Sequence, residues 1–399
     1  MSASDAQVIP VESFRRAGPK TFGILFLLES LVRAFNSSVL SVQAYDLLHS
    51  AQMVSVLGTC SSLTTLTITL CMPFLFRHLR RRYAYTMGAC LMIAGSAGLA
   101  SFTVPGQILG VILRNSGASI ANVTLQLYIL DNIRKNQLTT SEPLRLALST
   151  VAWVVGPYSG IWLYQNYGSL APQLAAATAA LVLLAVFWYL RLHEGQSMPS
   201  GTLEPFNPLA NAARFIKQPR LRLAWAIAFA RSCFWGIFFT YGPLLMIEGG
   251  MDKKFGGLII SLSQILLLSA FLYGPLARRV GVRVIITVCF SMIAISTFAA
   301  GLLGSAHPFL VAALLLVGSL FSCGIDSVGG IPFLRAVKPH ERQKMAAVYR
   351  TFIEFSDLVP STIFIVALHF FDVSIVFIIL GTCLTAMGVL VWRYLPQSM

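Results

Sequence analysis

The sequence predicts an all-α membrane protein of twelve transmembrane helices, arranged as two pseudo-symmetric six-helix bundles. Three observations carry that expectation. Of 399 residues, 56% are hydrophobic and only 11% charged, and the mean hydropathy is +0.74, above what a water-soluble domain tolerates. The apolar residues fall in consecutive stretches of about 20, the length that a hydrocarbon core of roughly 30 Å demands of a helix. Motifs also recur along the chain at a near-constant separation, as a duplicated unit would leave them.

Taken in order, spans are expected near residues 20–42, 51–76, 83–103, 107–131, 144–166, 171–190, 221–246, 256–277, 283–303, 307–330, 346–370 and 372–394. The first is of full length and lacks a small-residue cleavage site, so it reads as a retained span rather than a secretory leader. The breaks between spans divide by charge. One set carries Arg15, Arg16, Lys20, the run Arg77 to Arg82, Arg134, Lys135, Arg191, Arg214 to Arg222, Arg278 to Arg283, Arg335 to Lys344 and Arg393; the other set carries only Lys253 and Lys254. Cationic loops stay on the cytoplasmic side of a bilayer, so both termini are expected inside, in the cell inner (plasma) membrane. The formal charge of +14 is then a consequence of topology, with the lipid bilayer as the partner and no nucleic acid implied.

The longest hydrophilic stretch, His193 to Pro219, leaves six spans on either side. It divides the chain into residues 1–192, a cytoplasmic linker over 193–219, and residues 220–399. The repeat crosses that division. Pro73 and the basic run after span two answer to Pro275 and Arg278-Arg279-Val-Gly-Val-Arg283 after span eight, at an offset of 202. Arg33 in span one answers to Arg231 in span seven at 198, and Pro157 in span five to Pro360 in span eleven at 203. The seven cysteines fall within spans and form no Cys-x-x-Cys pair, so neither a disulfide framework nor a metal site is expected, and no cofactor is called for.

Ionisable side chains are costly in hydrocarbon, and those retained in spans are functional candidates. They are Glu29 and Arg33 in span one, Arg114 in span four, Arg231 in span seven, Asp326 in span ten, and Arg350, Glu354 and Asp357 in span eleven. Glu29 and Arg33 are four apart and share a helix face, as do the three in span eleven. Two readings stay open: neutralised pairs that hold helices together, or carboxylates that trade a proton as a cavity opens to each side in turn. On the second reading Glu29, Asp326, Glu354 and Asp357 couple proton movement. Asp131 and Glu142, nearer helix ends, read as gate or capping groups.

Arg114 stands beside Asn115 and Asn122 in a polar stripe, with a structural salt bridge to Glu29 as the plainer alternative. Most aromatic residues of the central spans must face lipid or neighbouring helices. Trp235, Phe238 and Tyr241 are nevertheless concentrated in span seven, and with Asn36, Asn122, Gln126 and Gln264, beside Arg33, Arg114 and Arg231, they describe a cavity able to stack a planar ring and bond its edges. Phosphate-binding lysines are absent from the spans, so a neutral or weakly charged aromatic solute fits better than a sugar phosphate. No His-x-x-x-x-Asp, Gly-x-Ser-x-Gly or His-Glu-x-x-His motif sits at a membrane face, and an enzyme leaves the repeat unexplained. The chain is not expected to be an enzyme.

Two parallel six-helix repeats, a basic loop after the second helix of each, and Arg114 in span four together resemble the major facilitator superfamily. The loop pattern of that family is roughly Gly-x-x-x-Asp-Arg-x-Gly-Arg-Arg; Gly274 to Arg283 keeps its glycines and arginines, whereas Pro73 to Arg82 lacks the glycine and aspartate. The resemblance implies alternating access with a cavity lined by spans one, four, seven and ten, acting as a monomer on a small-molecule substrate with protons as a second partner. Gly156-Pro157-Tyr-Ser-Gly160 is similar to the Gly-Pro-x-x-Gly signature of drug/proton antiporters, which keeps an exporter as an alternative, although such a step is also a simple kink. Ser141-Glu-Pro-Leu-Arg145, leading into Trp153 and Gly156-Pro157, resembles a bacterial subgroup of copper importers and riboflavin importers. Copper importers carry Met-x-x-x-Met and His-x-x-x-Met in spans seven and eight, which places soft ligands on one face. Here the nearest pairs, Met87/Met92 and Met246/Met251, are five apart. Riboflavin uptake by symport is the favoured expectation, with export second and copper last.

Overall fold

The computed structural model describes residues 19–132, 138–190, 208–337 and 342–396. It is helical throughout these residues, and eleven of its helical stretches are long and apolar enough to cross a bilayer. With the thirty-residue helix Leu138–Tyr167 they make a set of twelve. Span one runs Pro19–Ser37, breaks at Ser38 and continues over Val39–Leu48, so it is longer than the expected 20–42 and carries Asp46 inside it. Spans two to six are Ala51–His78, Arg81–Ala100, Val104–Asn132, Leu138–Tyr167 and Leu170–Tyr189. Span seven is Pro219–Glu248 and span eight is Lys253–Leu266, a short 3-10 turn, then Ala270–Val280. Span nine is Val282–Leu303, and span ten is Pro308–Val328 followed by Ile331–Ala336. Arg342–Tyr349 with Phe352–Phe370 forms span eleven, and Ser374–Tyr394 span twelve.

Large apolar side chains point outward as well as inward: Leu70, Phe74, Phe271, Phe309 and Phe370 are all exposed. In a bilayer those faces meet lipid tails, and helices must associate by close packing and internal hydrogen bonds rather than by escape from water. Small residues do that here. A Cβ on Gly88 would lie 2.9 Å from the Gly117 carbonyl, and one on Gly95 would lie 2.7 Å from the backbone nitrogen of Arg114. Spans three and four therefore touch backbone to backbone, which fixes the height of Arg114. Gly156 and Gly160 do the same for spans five and one: a Cβ on Gly160 would meet the Phe35 carbonyl oxygen. The Gly-Pro step thus has a packing role against span one.

The two basic loops reach the same end by different backbones. The turn between spans eight and nine uses Gly281 at φ +95, a conformation that L side chains avoid. Its counterpart after span two leaves the helix through extended Leu79 and Arg80, which need no glycine. Part of the expected linker, residues 193–207, lies outside the described residues. The rest holds a helix, Pro208–Lys217, whose Phe215 is buried with Leu221, Ala224, Phe333, Val337 and Met345.

Spans one, three, four and six share one core cluster, built on Phe22, Tyr85, Leu125, Tyr128 and Phe187. Spans seven, nine and twelve dominate another. Between the first six spans and the last six, the extensive contacts are span five with span eight and span two with span eleven, joined by the end of span one against span seven.

Candidate functional site

Where these groups meet, spans one, two, four, seven and eleven enclose a cavity of about 210 Å³. Its wall is dense in hydroxyls: Ser37 and Ser41 from span one, Ser61 and Ser62 from span two, Thr240 and Tyr241 from span seven, Ser356 and Ser361 from span eleven. The spacing is helical, i and i+4, for Ser37/Ser41 in span one and Asp357/Ser361 in span eleven, so each of these two helices offers one polar face. Asn115 from span four and Asp357 from span eleven complete the polar lining. Asp357 is exposed to open space although its helix is packed on both sides, and its Oδ1 would lie 3.5 Å from a Cβ on Gly236. The bare backbone of Gly236 leaves that carboxylate uncovered.

A chain of hydrogen bonds leads to the opposite wall. Arg114, 5% exposed, donates from Nη2 to the Arg33 carbonyl at 3.0 Å and from Nη1 to Asn115 Oδ1 at 3.2 Å. Asn115 Nδ2 then donates to Ser61 Oγ at 2.7 Å. A guanidinium cannot shed its charge in a membrane, and here it spends donors on a carbonyl and an amide. Tyr241, 2% exposed, shares a 2.6 Å hydrogen bond with Ser55.

The other anticipated residues are distributed around this centre. Arg231 is ion-paired with Asp326, and Trp235 Nε1 donates to the second carboxylate oxygen at 3.0 Å, tying span seven to span ten. Phe238 is 1% exposed and packs among Phe234, Trp235 and Phe239. Gln264 is buried in span eight. Glu29 and Asn36 are fully buried in span one, Asn122 is half-buried in span four, and Glu354 is half-buried one turn before Asp357. The side chains of Gln126, Asp131 and Glu142 lie outside the described residues. Of the anticipated site residues, then, the cavity wall gathers Tyr241 and Asp357.

Residues that charge counting passed over are as prominent. Asp46 accepts from Lys253 in an ion pair and from the Tyr164 hydroxyl at 2.7 Å on the same oxygen, with Lys253 also 5.5 Å from the Tyr164 ring. Lys253 is one of the two exceptions to the charge asymmetry of the loops. The hydroxyls of spans two and eleven, Ser61 beside Ser62 and Ser356 with Ser361, were equally visible, had hydroxyls been counted with the charges.

A helical protein of this span number, with a polar cavity between two groups of helices, has the architecture of a secondary transporter. The family model of the Major Facilitator Superfamily matches residues 22–268, and the chain belongs to that superfamily. Solved structures agree over nearly the whole length. A POT family transporter in complex with 5-aminolevulinic acid superposes with a TM-score of 0.75 at 12% identity, over 94% of this chain and 95% of that one. The nucleoside transporter NupG superposes at 0.72 and 13% identity, over 94% and 98%. A D-xylose-proton symporter superposes at 0.70 and 13% identity, over 95% and 98%. These identities speak for the fold. No curated protein sequence matches the chain at a significant level.

Proposed function

We propose that this transporter takes up a small organic solute through the central cavity, with residues 1–192 and 220–399 as two bundles that rock about it on the 193–219 linker. Both termini lie in the cytoplasm in this reading. The observation that carries it is the cavity itself: five spans drawn from both groups present hydroxyls, an amide and a carboxylate to one space. Such a wall holds its solute by hydrogen bonds.

Riboflavin is the solute we propose first. Its ribityl hydroxyls suit the serine faces, and Tyr241 gives the isoalloxazine ring an aromatic neighbour on span seven. Proton coupling is proposed for Glu29, Asp326, Glu354 and Asp357, of which Asp357 faces the cavity. The test is growth of a riboflavin auxotroph lacking its own importer at limiting vitamin. Rescue by this gene is expected; absence of rescue despite membrane expression excludes riboflavin, and a gain of dye or drug resistance instead supports export. Glu354→Gln is expected to abolish accumulation against a gradient while leaving counterflow exchange, and accumulation by the variant would make its carboxylate structural.

A further inference from the structure

The ionisable groups around the cavity differ in how their charges are met. Arg231 is neutralised by Asp326, and Arg114 stands behind Asn115 with donors engaged on the Arg33 carbonyl and the Asn115 amide. Asp357 stands on the wall itself, exposed to the cavity, and no donor among the described residues reaches its carboxylate. Glu354, one turn earlier, adds a second negative group behind it. The opposite wall is polarised the other way: because Asn115 donates to Ser61, the Ser61 hydroxyl hydrogen is left to donate into the cavity. Arg114 keeps its charge, since its partners are neutral, but it is set back behind Asn115; in a space walled by low-dielectric protein the charge on the wall itself, that of Asp357, sets the sign of the local potential.

From these positions we infer that Asp357 determines the charge selectivity of the central cavity. Its wall takes a cationic nitrogen or a neutral hydrogen-bond donor and turns away anionic groups such as phosphate esters and carboxylates, while the Ser61 side takes an acceptor atom of the same solute. The inference rests on reading this cavity as the solute site, and it deepens that reading by naming the solute class: neutral or cationic, with a donor at one end and an acceptor at the other. A neutral solute would be admitted and its phosphorylated form refused.

The test reads the potential directly. Ser361→Cys, one turn beyond Asp357 on the same wall, is introduced into full-length protein whose seven native cysteines are replaced, and the purified protein is reacted with two thiosulfonate reagents of similar size, one bearing trimethylammonium and one sulfonate. Each rate is divided by that for a free thiol in solution. The cationic reagent is expected to react roughly tenfold or more in excess after that correction. Asp357→Asn should bring the ratio close to one, and Asp357→Glu should retain the excess. Equal corrected rates with Asp357 present overturn the inference, as does an excess that Asp357→Asn leaves unchanged. Failure of both reagents to react would show that this wall is not open to solutes and would overturn it as well. The Ser361→Cys measurement stands alone if Asp357→Asn proves unstable. Because the ratio does not depend on movement of any solute, its failure is distinct from a failed uptake assay.

Discussion

The two faces of the molecule hold the first and last six spans together very differently. On the face away from the termini, Lys253 pairs with Asp46, Tyr164 bonds the same carboxylate, Gln52 donates to the Ile365 carbonyl at 3.1 Å, and Tyr158 donates its backbone N–H to Ser261 Oγ at 3.2 Å. A Cβ on Gly257 would lie 2.5 Å from Ile161 and 2.8 Å from the Pro157 carbonyl. On the terminal face, the described ends pack within their own group. Ala270–Val280 lies on spans nine and ten, Ile331–Ala336 on span seven, and Arg342–Tyr349 on the linker helix. One seam is closed by specific bonds and bare backbone; on the other face the helix ends named above pack within their own group. For a transporter that opens to each side in turn, the bonded seam is the one that must break.

The largest effect should come from filling the bonded seam. Gly257→Val puts a branched side chain where even a Cβ would lie 2.5 Å from Ile161 and 2.8 Å from the Pro157 carbonyl, and overpacking of this kind typically costs about 1–3 kcal/mol or more. Little monodisperse protein is expected by size-exclusion chromatography in detergent. The contrasting substitution is Gly274→Ala, on the terminal side of span eight, where the nearest atom to a Cβ is Ser327 Oγ at 4.0 Å. It should fold normally, and if both variants behave alike the packing difference between Gly257 and Gly274 is wrong.

A smaller effect is expected at the ion pair. Asp46→Asn removes the charge that Lys253 meets, at side-chain exposures of 33% for Lys253 and 19% for Asp46. Loss of a partly exposed pair is worth on the order of 1 kcal/mol, which is about a fivefold shift toward opening of that face. Labelling of a cysteine placed at Ser41 should rise accordingly, and the reversed pair Asp46→Lys with Lys253→Asp should restore protection. No change in labelling would mean that the ion pair has no part in closure. The smallest effect belongs to Tyr164→Phe, which deletes one hydrogen bond to a carboxylate that keeps its lysine. A cost at the low end of the hydrogen-bond range, about 0.5 kcal/mol, follows because the carboxylate is partly exposed and keeps its lysine, seen as a slight rise in the same labelling rate, and an effect larger than that of Asp46→Asn would reverse the roles assigned here.

Much of this was legible before any coordinates. Hydropathy placed the spans within a few residues of where they fall, because a bilayer imposes its thickness on every helix alike. It ended span one at 42, whereas the helix runs on to Leu48 and carries Asp46, the partner of Tyr164 and Lys253. Reading charges in the spans found Arg114, Arg231, Asp326 and Asp357, yet it could not say that Arg231 and Asp326 satisfy each other while Asp357 faces the cavity. The aromatic count in span seven was equally blind to direction: Phe238 is covered by its neighbours, and Trp235 is bonded to Asp326.

The sequence by itself determined the helical membrane class, the number and order of spans, the charge asymmetry and the superfamily resemblance, since each is a one-dimensional record of a constraint that acts along the chain: bilayer thickness, loop charge and duplication. Tertiary structure alone decided which polar groups share a space. Ser61, Asn115 and Asp357 come from spans two, four and eleven, and Asp46 and Lys253 lie far apart in the chain. Whether a buried charge is neutralised or left facing a cavity depends on what packs against it across helices, where glycines such as Gly95, Gly160 and Gly236 set the distance of approach.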